Sequence, residues 1–129
     1  MDVLDRTDGR SGRPPAALRA EPSAQLVVAP GYELDPTSRQ LRHGGALIHL
    51  RPREYALLAI LATFPGHAFT RDQLMDLAWG TDRAIGPRAV DVNVHWLRAK
   101  IEPQPHRPAH LISVRGVGYR LDPDALTNA

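Results

Sequence analysis

The first stretch of the chain, residues 1–24, has no period of apolar and polar positions. It is rich in Arg, Pro, Gly, Asp and Ala, and predicts a disordered N-terminal tail. Alternation starts at "QLVVA" and continues through segments punctuated by "PG", "DPTS" and "HGG". These predict four short strands near 26–28, 32–34, 39–42 and 47–50, joined by tight turns. Strands this short cannot make a domain alone, so they must cover something else.

The period then changes to that of helices. "RPREYALLAILATFP" predicts a first helix, with Pro52 at its first position and Pro65 beyond its end. Tyr55, Leu58, Leu61 and Phe64 recur at helical spacing and are expected to face the core. Arg51 stands at the cap, about 1 kcal/mol short of an optimal capping residue. "FTRDQLMDLAWG" predicts a second helix, opened by a Thr70/Gln73 capping box, with Leu74 and Leu77 as its apolar face and Gly80 at its end. A third helix is expected over 88–102, because Pro103 and Pro105 forbid continuation. Last, "HLISVRGVGYRLD" alternates on both sides of "RGVG", a β-hairpin. Four strands, three helices and a hairpin give one α+β domain over 25–123, with a short tail at 124–129.

The third helix has two unlike faces. At about 100° per residue, Val90, Val94, Leu97 and Ile101 form a narrow core stripe. Opposite lie Val92 and Ala99, with Arg88 and His95 on one shoulder and Trp96 on the other. Asp91 and Arg98 border one edge, Asn93 and Lys100 the other. A small apolar centre with an imidazole, an indole and a cationic border suits a major groove. An apolar group can meet a thymine methyl, polar groups can reach base edges, and cations can hold phosphates. The same strip also suits a protein contact, since Trp is frequent at interface hot spots. Trp96 folding back into the domain's own core is a third reading of this helix alone.

Composition narrows the classes. The chain has 129 residues, of which 43% are hydrophobic, enough for one packed domain and a tail. It has no cysteine, which removes disulfides and thiolate metal sites. No N-terminal h-region and no apolar run long enough for a bilayer is present, so a cytoplasmic, nucleoid-associated protein with no membrane partner is expected. Net charge is only +2, but residues 88–120 hold six cations and two anions, leaving the remainder at −2. Basic charge gathered on one segment is a footprint for a polyanion. The histidines outside the third helix lack metal-ligand spacing, and no nucleophile–base pair, carboxylate pair or phosphate loop stands out. Neither an enzyme nor a cofactor is expected.

The hairpin favours the nucleic-acid reading. Arg115 sits where "SVRGVGYRL" turns, beside glycines that let a backbone approach another molecule closely. A helix with this outward face followed by an arginine-tipped hairpin is the layout of a winged helix, with the helix in the major groove and the arginine in the adjacent minor groove. The reading from another class is a winged helix used as a protein-interaction module.

Taken in order, "LRPREYALLAIL", "FTRDQLMDLAWG", "RAVDVNVHWLRAKIE" and "LISVRGVGYRL" resemble the effector domain of OmpR/PhoB-family response regulators. The resemblance implies an N-terminal four-stranded antiparallel sheet, a three-helix core and a C-terminal hairpin wing. It implies sequence-specific binding of double-stranded DNA by tandem protomers on direct repeats, followed by contact with RNA polymerase through the 81–87 loop. By resemblance Arg88, Val92, Asn93, His95, Trp96 and Arg98 meet DNA, with base reading nearest Val92, His95 and Trp96. Arg71, Trp79, Ser113 and Tyr119 match phosphate-holding positions, and Arg115 matches the minor-groove arginine. Gly86 and Pro87 stand where acidic residues are often found, Asn93 where His is usual, and Trp96 where Arg is frequent. Members usually carry a phosphoacceptor receiver ahead of this module. Here a Pro/Arg-rich tail stands ahead of it, and both an excised effector domain and an orphan regulator remain open.

Overall fold

The computed structural model of the chain describes residues 26–80 and 85–124. Expectations for the tail 1–24, for 81–84 of the loop before the third helix and for 125–129 lie outside the described residues. The elements are β1 (Leu26–Ala29), β2 (Tyr32–Asp35), β3 (Gln40–His43), β4 (Ala46–Ile48), α1 (Pro52–Thr63), β5 (Phe69–Thr70), α2 (Arg71–Trp79), α3 (Arg88–Ile101), β6 (Leu111–Val114) and β7 (Gly118–Leu121).

The first four strands form an antiparallel meander in sequence order. Leu26, Leu34, Leu41 and Ile48 align across it, and Leu34 and Leu41 are fully buried. The next row, Val27, Glu33, Arg42 and Leu47, faces outward. A sheet with one apolar face needs a cover, and α1 lies against β1 to supply it.

Two of the expected helix faces are displaced. On α1 the buried residues are Glu54, Leu57, Leu58, Leu61 and Ala62, while Tyr55 is half-buried and Phe64 is 56% exposed. Phe64 is already the C-cap residue, where the helical direction is lost. On α2 the core face is Leu74, Met75, Ala78 and Trp79, and Leu77 points to solvent at 59% exposure. Leu77 lies about 130° from the middle of that stripe, too far round to share it. The start of α1 is better satisfied than its arginine cap suggests, because Glu54 Oε1 accepts the Arg51 N–H at 2.7 Å. The capping box of α2 forms in both directions, Gln73 N–H to Thr70 Oγ1 at 3.0 Å and Thr70 N–H to Gln73 Oε1 at 2.9 Å.

The third helix packs as its period predicts. Val90, Val94, Leu97 and Ile101 are all essentially inaccessible. Beyond its end, the buried Glu102 carboxylate accepts the backbone N–H groups of Ala109 at 2.9 Å, His110 at 3.0 Å and Leu111 at 2.6 Å. That carboxylate starts the hairpin of β6 and β7 at a set place on α3. A third strand, unforeseen in the sequence, joins the hairpin: β5 pairs with β7, giving the order β5-β7-β6. Gly118 is glycine because of it. A Cβ there would meet the Phe69 carbonyl oxygen at 2.0 Å. Its close approach is therefore to the domain's own backbone, which corrects the expectation of an approach to another molecule. Gly116, at φ 77°, makes the turn.

Candidate nucleic-acid interface

The face of α3 opposite its core stripe is open. Arg88, Val92, His95 and Ala99 are exposed along it, with Val92 at 39%. Trp96 lies on the shoulder at 37% exposure, which removes the reading that places its indole in the core. Arg115 stands exposed at the turn of the wing and makes no hydrogen bond or ion pair among the described residues.

One edge of this face is a network across three elements. Asp91 Oδ1 on α3 accepts the Arg71 Nε–H from the start of α2 at 2.7 Å and the Tyr119 hydroxyl from β7 at 2.6 Å. The guanidinium groups of Arg71 and Arg98 lie 5.4 and 5.6 Å from the Tyr119 ring centre. Arg98 donates Nε–H and Nη2–H to the Leu111 carbonyl at 3.0 and 2.8 Å, and Nη2–H to Ser113 Oγ at 3.0 Å. Burial favours the uncharged Asp91 acid, but the Tyr119 hydroxyl and the Arg71 guanidinium together hold its carboxyl below the usual aspartate range. Burial, then the Asp91 carboxylate, pushes the Tyr119 phenol up. Burial lowers the Arg98 guanidinium, against the pull of Tyr119 and Glu102.

These contacts revise three expected site residues. Asn93 is corrected from a DNA-facing position: it is 7% exposed and its Nδ2 donates to the Ala89 carbonyl at 2.9 Å. It lies beside the core stripe, at the wall of a cleft that Pro52 and Ala89 also line. Arg98 is half-buried and engages Nε and Nη2 inside the domain, so it acts first as a strut between α3 and the wing. Tyr119 is 5% exposed and gives its hydroxyl proton to Asp91, leaving none for a phosphate in this conformation. Ser113 keeps its exposed position, and as acceptor from Arg98 it retains its own proton. Trp79 presents only a margin, at 6% exposure.

The other edge of α3 meets the start of α1. Lys100 Nζ donates to Glu54 Oε1 at 2.7 Å and to the His49 carbonyl at 3.0 Å. Above it, the Arg51 guanidinium lies 4.2 Å from the Trp96 ring centre, and that of Arg53 lies 5.7 Å from the Trp79 ring centre. An open cleft of about 540 Å³ separates the two pairs, with Asn93 and Ala89 among its lining residues.

Residues 45–121 match the family described as transcriptional regulatory protein, C terminal. The chain belongs to this family, the winged-helix DNA-binding domains of OmpR/PhoB type. The effector domain is 40% identical over 103 residues to the DNA-binding response regulator MtrA of Mycobacterium tuberculosis, covering 80% of this chain and 45% of that protein. It is 34% identical over 119 residues to the alkaline phosphatase synthesis transcriptional regulatory protein SphR of Synechococcus elongatus, covering 92% of this chain and 43% of that one. The chain thus spans less than half the length of these curated relatives. Among solved structures, the RstA DNA-binding domain of Klebsiella pneumoniae in complex with the RstA box superposes with a TM-score of 0.66. It is 30% identical, over 78% of this chain and 98% of that one. The DNA-binding domain of the response regulator AdeR, in complex with an intercistronic region, gives 0.60 at 35% identity, over 72% and 94%. Among the described residues, no helix of the effector domain is long and apolar enough to cross a membrane.

Asp91 and Arg51 stood out in the sequence only as a border residue and a weak cap, and Arg53 not at all. Asp91 offers no local signal, because its partners stand 20 and 28 residues away. Arg51 and Arg53 did carry one: two cations at a helix N-terminus oppose the macrodipole.

Proposed function

We propose that this effector domain reads a specific double-stranded DNA sequence by placing α3 in the major groove and Arg115 in the adjacent minor groove. The observation that carries this is the exposed Val92–Trp96 face, set on a helix whose opposite stripe is fully buried. Val92, His95 and Trp96 read bases; Arg88, Arg71, Ser113 and the margin of Trp79 hold phosphates. Arg98 and Tyr119 keep wing and helix at the spacing of two neighbouring grooves. Two protomers bind in tandem on direct repeats, and the 81–87 loop is the surface for RNA polymerase.

A salt titration of duplex binding tests the reading. With about six phosphate contacts per protomer, log affinity falls against log salt with a slope near −5. A slope near zero, or no binding at low salt, favours a protein-interaction module. Selection of duplexes from a randomised pool then yields the site, and a direct repeat in it supports tandem binding.

A further inference from the structure

We propose that Arg51, with Arg53 beside it, forms a second phosphate-binding edge of the DNA interface, on the side of α3 away from the wing. The inference rests on the DNA-binding reading above and assigns residues that lie outside the third helix and the hairpin.

Three observations point to it. First, Arg51 is stacked on Trp96, a residue of the reading face, at 4.2 Å from the ring centre. A guanidinium that meets a ring through its face keeps its in-plane N–H fork available, and that fork pairs with phosphate oxygens. Second, that fork has little to do inside the domain. Its nearest carboxylate oxygen, Glu54 Oε2, is 3.6 Å from Nη1, and Glu54 Oε1 is already taken by Lys100 and by the Arg51 backbone N–H. One buried carboxylate thus faces two cations, and positive charge is left over at the surface. Third, Arg51 and Arg53 stand at the N-terminus of the 12-residue α1, whose dipole adds positive potential there. The one resident anion of that turn, Glu54, is shared with Lys100, so the two arginines are only partly offset there.

The placement fits the groove. A helix lying in a major groove has a phosphate strand along each edge. On the wing side Arg71 meets one strand, with Asp91 partly neutralising it. On the other side Arg51 lies over Trp96 and Arg53 over Trp79, both exposed, while Lys100 is engaged by Glu54 and the His49 carbonyl. The Arg53–Trp79 pair extends this edge across the cleft to the phosphate-matched indole.

The test compares Arg51→Gln with Arg51→Lys, each on the duplex selected by the wild-type protein and on an arbitrary duplex of equal length. Gln keeps a planar group near Trp96 and removes the charge; Lys keeps the charge. Arg51→Gln is expected to weaken both duplexes alike, and to make the salt slope shallower by about 0.9, one phosphate contact. Arg51→Lys is expected to restore the slope. A purely structural role would lower the melting temperature and leave the slope of the folded protein where it was. An unchanged slope in folded Arg51→Gln, beside a steep wild-type slope, overturns this inference alone. Failure of the wild type to bind either duplex overturns it together with the proposed function.

Discussion

The Tyr119 hydroxyl donates to Asp91 Oδ1 at 2.6 Å, and so ties the second strand of the wing to α3. The same oxygen accepts Arg71 Nε–H, so one carboxylate holds together the three elements that flank the reading face. The pair is only part-buried, and an ion pair as exposed as Arg71–Asp91 contributes about 1 kcal/mol or less. Its worth lies in where it holds its partners.

The two shifts of this pair give opposite pH limits. Asp91 is held below its ordinary value of about 3.9, so its contribution is present above that value and is lost as pH falls through the lower folded one. Tyr119 is raised, so its contribution is present below the ordinary tyrosine value of about 10 and is lost as pH climbs above it. Asp91→Asn is expected to flatten the acid limb of a melting-temperature profile and to make Tyr119 ionise earlier. Tyrosinate absorbance reads the second effect, with Tyr119→Phe identifying which phenol moved. An acid limb unaltered in Asp91→Asn rules out this account.

Leu97 and Trp96 are neighbours in sequence and opposites in role. Leu97→Ala opens a cavity in the core and is expected to cost about 2–4 kcal/mol in stability. Trp96→Ala removes an exposed indole and its arginine stack, a loss of about 0.5–1 kcal/mol, while changing which duplexes are selected. Denaturant melts and a repeat of the randomised selection measure both. Equal destabilisation with unaltered site preference would make Trp96 structural.

Gly118 and Gly116 differ in why they are glycine. Gly118→Ala forces a Cβ against the Phe69 carbonyl and is expected to cost about 1–3 kcal/mol or more, with loss of the β5–β7 pairing. Gly116→Ala meets no atom and pays only for its positive φ, about 1–2 kcal/mol. Hydrogen exchange distinguishes them: protection in β5 should fall in the Gly118 variant alone.

Arg115 and Arg71 divide the work of positioning and preference. Arg115→Ala should reduce preference for an A·T-rich flank, because a narrow minor groove attracts arginine through its stronger negative potential. Arg71→Ala should weaken all duplexes about equally, since phosphate contacts carry no base identity. Binding to duplexes that differ only in the flank checks this, and a reversal of the two effects refutes the assignment.

Features that depend on neighbours along the chain were legible before any fold was known. Thr70 and Gln73 close a capping box within one turn, Pro103 blocks a helix from continuing through it, and the stripe Val90, Val94, Leu97, Ile101 follows from helical period alone. These features need no knowledge of what lies opposite. Tertiary structure decided the rest, because burial at the margin of a stripe depends on the element packed beside it. Asn93 turned inward onto the Ala89 carbonyl beside the core stripe, while Leu77 was left in water because none of the described elements covers it. Arg98 became a strut only because the Leu111 carbonyl lies within reach, 13 residues along the chain. The partners of Arg51 and Asp91 are likewise distant in sequence, and a side chain's charge and type say nothing about which distant atom it will meet.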